Sequence, residues 1–298
     1  MRGQLLSWLS IAWAVGYTCA YITGYVLRDH GANAWRLMLA SSAIPAAIVF
    51  LMRVRIPESP IWLQRRGRLA EAKNIIRTYI GDNILLSSPA ASTRTAQHIG
   101  AYVHRVFSSK WRLRLFIACF FYTCLVIPYF SLRTFSPIVF ESRNIENKFT
   151  AGHIYNTFLL IGSTSGAFVV DRVGRRPFLL VGFFGSALAL EVLSFGANIP
   201  AQAVVGLFAI FACLLSAANN LCFFYPQELF PTDLRATALG FAVAGSRIGS
   251  ALTTFLFPAL VVRYGGQVAV YLCIAVLLIG GMVCAKWAPE TRHDSLAG

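Results

Sequence analysis

The chain has 298 residues, 57% of them apolar and only 13% charged, about half the charged share of an ordinary soluble domain. Its formal charge of +14 would suggest nucleic acid in a soluble protein, but twelve of the 26 basic residues fall between positions 53 and 114, the clustering expected of a cytoplasmic loop between membrane spans. That placement argues against nucleic acid as a partner, and the lack of apolar/polar alternation over about ten residues argues against a transmembrane β-barrel.

Uncharged runs of roughly 20 residues cross the hydrocarbon core as helices, and they set the order of the chain. Residues 5–27 form the first such run. A short polar connection, 28–36, leads to a second run, 37–52, with Pro45 near its middle and a kink expected there. Residues 53–114 are the one sizeable polar segment. Within it Ser59-Pro60 supplies an N-cap and a first-turn proline. After Gly67, the residues Leu69, Ala72, Ile76 and Tyr79 share one helix face, opposite Arg68, Glu71, Lys73 and Arg77. This predicts an amphipathic helix along the inner membrane face, ending at Gly81 and followed by a linker over 82–97.

Span three covers 115–140, with Arg133 inside and a bend expected at Pro128 or Pro137; span four covers 149–170. A charged hinge, 171–177, separates it from span five, 178–196, which carries Glu191. Asn198-Ile199-Pro200 turns the chain into span six, which runs to Phe224, and a second polar hinge occupies 225–235. Span seven, 236–262, contains Arg247. Gly265-Gly266 then turns the chain into span eight, which ends at Ala285 before a polar tail. Gly240, Gly245 and Gly249 are expected to permit close helix packing. With both termini cytoplasmic, 19 basic residues lie inside and five outside, as the positive-inside rule requires. All seven cysteines sit in apolar runs without a CxxC pattern. No metal-ligand spacing, Walker-type loop or GxSxG sequence suggests a cofactor or an enzyme.

Four motifs then resemble one family. Pro57-Glu58-Ser59-Pro60-Ile61-Trp62-Leu63, followed by Gly67-Arg68 and Glu71-Ala72, resembles the PESPRWL...GR..EA signature after the sixth helix of sugar-porter-like major facilitator superfamily transporters, with Ile61 in place of the usual arginine. Asp171-Arg172-Val173-Gly174-Arg175-Arg176 resembles the DRxGRR loop between helices 8 and 9, with Ala167 where a glycine is usual. Glu228-Leu229-Phe230-Pro231-Thr232 with Arg235 resembles the loop after helix 10, and Pro289-Glu290-Thr291 the PET sequence after helix 12.

The resemblance covers the entire chain and implies an all-α polytopic membrane protein, an N-terminally truncated major facilitator fold whose eight transmembrane helices are numbers 5 to 12 of twelve. Residues 1–52 would be the last two helices of the first bundle, 53–114 the cytoplasmic loop, 115–285 the six-helix second bundle and 286–298 the tail. Arg2-Gly3 resembles the pair that opens helix 5, so a mis-called start codon or a gene fragment is expected.

The hinge reads chemically as a latch. Gly174 permits a tight turn, and Asp171 near a helix end can pair with the forked guanidinium groups of Arg172, Arg175 and Arg176. The alternative is that these arginines set topology and touch anionic headgroups of membrane lipid. The resemblance implies a cytoplasmic gate with Glu58, Glu228 and Arg235 as further members.

Ionisable groups within spans are expensive, so each is a candidate site. Arg247 is the leading one for substrate or gating, the alternative being an internal ion pair. Glu191 could carry a proton, pair with Arg247, or lie at the outer interface. Arg133 lies late enough in its span to face either the cavity or the outer headgroups, with Tyr129 beside it. Asn219-Asn220 are expected to line the cavity or to bond between helices. Where sugar porters carry a QQ stretch and a GPxxW stretch, this chain has Phe120-Phe121-Tyr122-Thr123 and Asn219-Asn220-Leu221-Cys222-Phe223-Phe224, which argues against a hexose. The reading is a secondary transporter of a small metabolite, an organic ion or acid, in the bacterial inner (plasma) membrane, working by alternating access with a proton or ion gradient driving it. The alternative is a truncated remnant or regulatory subunit that does not transport.

Overall fold

Every long apolar run folds as a helix, because in lipid each backbone N–H and C=O must be satisfied within its own segment. The computed structural model describes residues 2–54, 56–79, 81, 99–142, 148–195, 200–231 and 234–291. No strand occurs among the described residues. The chain divides into two compact units, one of Met1–Ile22 with Ile99–Gly298, the other of Thr23–His98. Helix α1, Arg2–Leu27, runs from the first into the second.

In the Thr23–His98 unit the second run is two helices, α2 (Ala34–Ser41) and α3 (Ala43–Arg53), broken at Ser42. Pro45 explains the break, since its missing N–H leaves the carbonyl of residue 41 without a helical partner. The Ser41 and Ser42 hydroxyls fold back on the Met38 and Leu39 carbonyls, each at 2.7 Å. Helix α4, Pro60–Arg65, starts on the expected proline, but the Ser59 hydroxyl makes no capping bond. Gly67 turns the chain at φ +78 into α5, Leu69–Tyr79, which buries Ala72 and Ile76 and closes an Arg68–Glu71 pair at 2.6 Å on its exposed face. The linker expected over 82–97 lies outside the described residues.

The other unit holds α6 (Ile99–Val106), which no sequence signal announced, and a bundle of long helices. These are α7 (Arg112–Ser142), α8 (Lys148–Val173), α9 (Arg175–Phe195), α10 (Ala201–Asn219), α11 (Leu221–Glu228), α12 (Arg235–Tyr264) and α13 (Gly266–Trp287). Helix α7 packs on α12 and α13, α8 on α10, and α9 on α10 and α13. Phe121, Phe183, Phe208, Phe211 and Phe224 fill the interior, while Leu188, Phe195, Phe255 and Val262 face outward, a distribution suited to lipid. Among the described residues six stretches are long and apolar enough to cross a membrane: Gly31–Arg53, Arg112–Arg133, Arg175–Phe195, Ala201–Glu228, Arg235–Tyr264 and Gly266–Trp287. Helices α1 and α8, 26 residues each, complete the eight expected spans in length. Polar Asn156, Thr157, Ser163, Thr164 and Ser165 dilute the apolarity of α8.

Helix α7 runs unbroken from Arg112 to Ser142, with Pro128 and Pro137 inside it. Three sequence expectations need correction. The 171–177 hinge contracts to Gly174 alone, since α8 reaches Val173 and α9 starts at Arg175. The second hinge starts later than 225, because α11 runs to Glu228 with Pro226 inside it. Of the three glycines in α12, Gly249 alone sits closely packed, where a Cβ would come within 2.7 Å of Thr123; Gly240 faces open space. Helices α8 and α10 approach closely at two glycines: a Cβ on Gly162 would overlap the Cys213 backbone, and one on Gly166 would lie 2.8 Å from the Ala217 backbone. In lipid such small-residue seams replace hydrophobic exclusion as the source of packing.

Candidate functional site

At one end of the bundle the motifs meet. Arg175 forks onto Glu228, with Nε 3.3 Å from Oε2 and Nη2 3.2 Å from Oε1. The same Nη2 lies 3.2 Å from Asp171 Oδ1, one turn back across the Gly174 break. The guanidinium is nearly enclosed, its side chain 10% exposed, so its charge is met by two carboxylates rather than by water. Glu290 holds the start of α9: the backbone N–H groups of Arg175 and Arg176 donate to its two carboxylate oxygens at 2.9 and 3.0 Å. Those are first-turn donors with no helical acceptor, and a carboxylate there also meets the positive end of the helix dipole. Thr291 donates to Glu228, Tyr225 to the Pro289 carbonyl at 2.7 Å, and Arg176 to the Ala285 carbonyl. Gly174 is required twice over, by its φ of +100 and because a Cβ would stand 2.9 Å from the Glu290 carboxylate.

The predicted gate residues thus separate. Asp171, Gly174, Arg175, Arg176 and Glu228 come together. Arg235 does not join them; its Nε donates to the Phe230 carbonyl at 3.0 Å and stabilises the loop before α12. Arg172 is exposed and has no ion pair among the described residues. Glu58 belongs to the other unit, where it is exposed and its charge acts on Arg68. Glu290 and Thr291 had been visible as a motif without an assigned role.

Deeper in the same unit a cleft is lined by Trp13 of α1, by Tyr122, Val126, Tyr129 and Phe130 of α7, by Asn219, Cys222 and Phe223 at the α10–α11 junction, and by Arg247 of α12. It is narrow, about 70 Å³. Arg247 stands twelve residues into α12, about 18 Å along it by helix rise. Its guanidinium lies 5.4 Å from the centre of the Phe130 ring and has no carboxylate partner among the described residues. Glu191 is half-buried on α9 and has no ion pair among the described residues, Arg247 included, so the Glu191–Arg247 pairing weighed from sequence does not form. The two asparagines have different fates. Asn219 lines the cleft, and its buried Oδ1 accepts no hydrogen bond. Asn220 is fully buried and ties helices together: its Nδ2 donates to the Ser163 carbonyl at 2.9 Å, and the Ser163 hydroxyl lies 3.1 Å from that of Ser10 on α1. These asparagines fall where the helix is interrupted between α10 and α11, and discontinuous helices are where transporters place binding groups.

Arg133 lies about 28 Å along α7 from Arg114 by helix rise, far from the motif end, where Arg114 donates to the Leu229 carbonyl. Its guanidinium sits 3.3 Å from the centre of the Tyr17 ring of α1. It also donates to the Tyr129 hydroxyl at 2.9 Å and to Asn156 Oδ1 at 3.0 Å. Trp13 and Tyr129 line the same cleft, and Tyr21 stacks edge-on against His153 with ring centres 4.7 Å apart. Arg133 is therefore engaged in joining α1 to α7 and α8. Sequence reading passed over the α1 partners, although Trp13, Tyr17 and Tyr21 recur at a spacing of four, one helix face.

Comparison with known proteins adds the context. Residues 1–298 match the family model described as "Sugar (and other) transporter". Over 294 residues the chain is 40% identical to the inner membrane metabolite transport protein YgcS of Escherichia coli K12, a match covering 98% of this chain and 64% of that protein. It is 24% identical over 326 residues to the D-xylose-proton symporter of the same organism, covering 99% of this chain and 64% of the symporter. The chain thus spans about two-thirds of the length of the curated relatives it matches. Among solved structures, that of the major facilitator superfamily proton:xylose symporter XylE aligns with a TM-score of 0.72 at 23% identity, covering 98% of this chain and 65% of that one; at that identity the likeness is one of fold.

Proposed function

This chain is an integral membrane protein that belongs to the sugar (and other) transporter family, and on that premise we propose that it is a secondary transporter carrying a small organic acid across the bacterial inner membrane by alternating access, driven by protons. The observation that carries this reading is Arg247, a cation deep in a span that lines a cleft and has no carboxylate partner among the described residues. A charge at that depth is costly and is retained where it meets an ion or a polar pathway. The proton:xylose symporters that the chain resembles in sequence and fold support the coupling ion. Half-buried Glu191, without an ion pair among the described residues, is the candidate proton carrier.

In this mechanism one bundle, ending at residue 52, rocks against the six-helix bundle of 115–285 around the cleft. Both termini, the 53–114 loop and the 286–298 tail are cytoplasmic. The Asp171–Arg175–Glu228–Glu290 lattice is the rigid cytoplasmic end of the second bundle. Exposed Arg172 and Glu58 are then free to exchange partners, across the gate or with anionic lipid, as the bundles move. Uptake into proteoliposomes containing this chain tests the proposal, with labelled organic anions, neutral sugars and cations supplied with and without an inward proton gradient. Anion uptake that rises with the gradient is expected; no uptake, or uptake of neutral or cationic solutes alone, overturns it.

A further inference from the structure

The cleft carries more information than one positive charge. Asn219 makes no hydrogen bond through its carboxamide among the described residues, and its Oδ1 is buried. Tyr122, which lines the same cleft, has no hydrogen bond through its hydroxyl among the described residues either. The other side-chain amides of the bundle interior are satisfied, Asn156 by Gly152 and Arg133 and Asn220 by Ser163; the hydroxyls of Ser131, Tyr155 and Ser186 are also buried without a partner among the described residues, but none of these residues lines the cleft. Buried polar groups are normally paired, so the enclosed Asn219 oxygen, with the Tyr122 hydroxyl in the same cleft and an arginine that has no carboxylate partner among the described residues, marks a place where a ligand supplies the partners. A carboxamide and a phenol each offer a donor and an acceptor. The ligand group that answers both, whichever way the amide points, is a hydroxyl.

We infer that the cleft is built for a hydroxylated carboxylic acid of the sugar-acid class, with its carboxylate on Arg247 and its hydroxyls on Asn219 and Tyr122. The inference rests on reading the cleft as the solute site. Trp13, Phe130 and Phe223 supply flat apolar walls against which the C–H faces of a polyhydroxylated chain pack. A simple alkanoate would satisfy Arg247 and leave the Asn219 oxygen buried and unpaired, and sites built to bond a hydroxyl reject analogues that lack it. A neutral polyol would leave the arginine unpaired. The cleft in this state has room for a few waters only, so a six-carbon acid enters as Trp13 and its helix α1 withdraw from α7 and α12. The same parting of helices admits solute in alternating access.

Three probes separate the possibilities: D-gluconate carries both carboxylate and hydroxyls, sorbitol the hydroxyls alone, hexanoate the carboxylate alone. Calorimetric titration of the purified chain in detergent should give gluconate an affinity at least about tenfold above either analogue. Arg247→Gln should bring gluconate down to the level of sorbitol, with partial recovery in Arg247→Lys. Asn219→Leu should weaken gluconate about tenfold while changing hexanoate less than twofold. Thermal unfolding of each variant separates loss of binding from loss of fold, and the lysine variant gives a folded control that keeps the charge. Hexanoate binding as tightly as gluconate, an Asn219→Leu form that binds gluconate normally, or no gluconate binding by the folded parent overturns the inference. Proteoliposomes that carry other organic anions but not gluconate would sink this substrate class and leave the transporter reading standing; no uptake of any solute would remove both.

Discussion

Arg175 and Glu228 meet fork to fork, Nε to Oε2 at 3.3 Å and Nη2 to Oε1 at 3.2 Å, and they join the start of α9 to the end of α11 across 53 positions of chain. Because the arginine is almost enclosed, the two groups depend on each other more than a surface pair would. Glu228→Gln, which keeps the shape and removes the charge, should lower stability by about 2 kcal/mol. Arg175→Lys should do nearly as much, since a point charge cannot replace a planar fork. Thermal unfolding in detergent reads both; a lysine form as stable as the parent would show that the fork geometry is immaterial.

Gly174 and Glu290 form a second dependence. Alanine at 174 meets a φ of +100 and puts a methyl group 2.9 Å from the Glu290 carboxylate, so Gly174→Ala should cost about 1–3 kcal/mol. Glu290→Ala should cost about 1 kcal/mol as the cap of α9 is lost. The double variant should fall short of the sum, because removing the carboxylate removes the clash. Strict additivity in that cycle would mean the cap and the turn act independently.

Arg133 over the Tyr17 ring at 3.3 Å ties α1 to the long helices at the end far from the motifs. A cycle of Tyr17→Leu and Arg133→Gln should return a coupling of about 1–2 kcal/mol, the range for a desolvated cation–π pair. In transport, loosening this clamp should change the balance of open and closed states, read as altered maleimide labelling of Cys19, which is exposed on α1. Equal labelling in all four forms would remove the clamp from the gating cycle.

Arg247 should behave in the opposite way. Its guanidinium lies against the Phe130 ring and no carboxylate among the described residues depends on it, so Arg247→Ala should leave the unfolding temperature nearly unchanged. Anion uptake should fall at least about tenfold. A variant that melts early would recast Arg247 as a structural residue, and one that transports normally would take it out of the solute site.

Much of the architecture was legible in one dimension. Apolar length marked each long helix, Pro45 marked the break at Ser42, and Gly67 and Gly81 bounded α5, because these depend on neighbours within a turn or two. Pro128 and Pro137 leave α7 unbroken, because a transmembrane helix tolerates proline when surrounding groups satisfy the freed carbonyls. The hinge residues looked like a loop because they are charged, yet charges at the end of a span need no loop to reach water.

What the sequence by itself determined is the set of membrane helices, their order and the family to which the motifs belong, since hydrophobic length and turn chemistry are properties of contiguous residues. What the tertiary structure decided is which polar groups are already spent. Glu290 reaches the α9 amides from 115 positions away, Arg133 is held by Tyr17 from α1, Asn220 is consumed by Ser163, and Asn219 and Arg247 are left facing a cleft. Adjacent asparagines read alike in a sequence. Because successive side chains on a helix point about 100° apart, one of them meets a neighbouring helix and the other meets space.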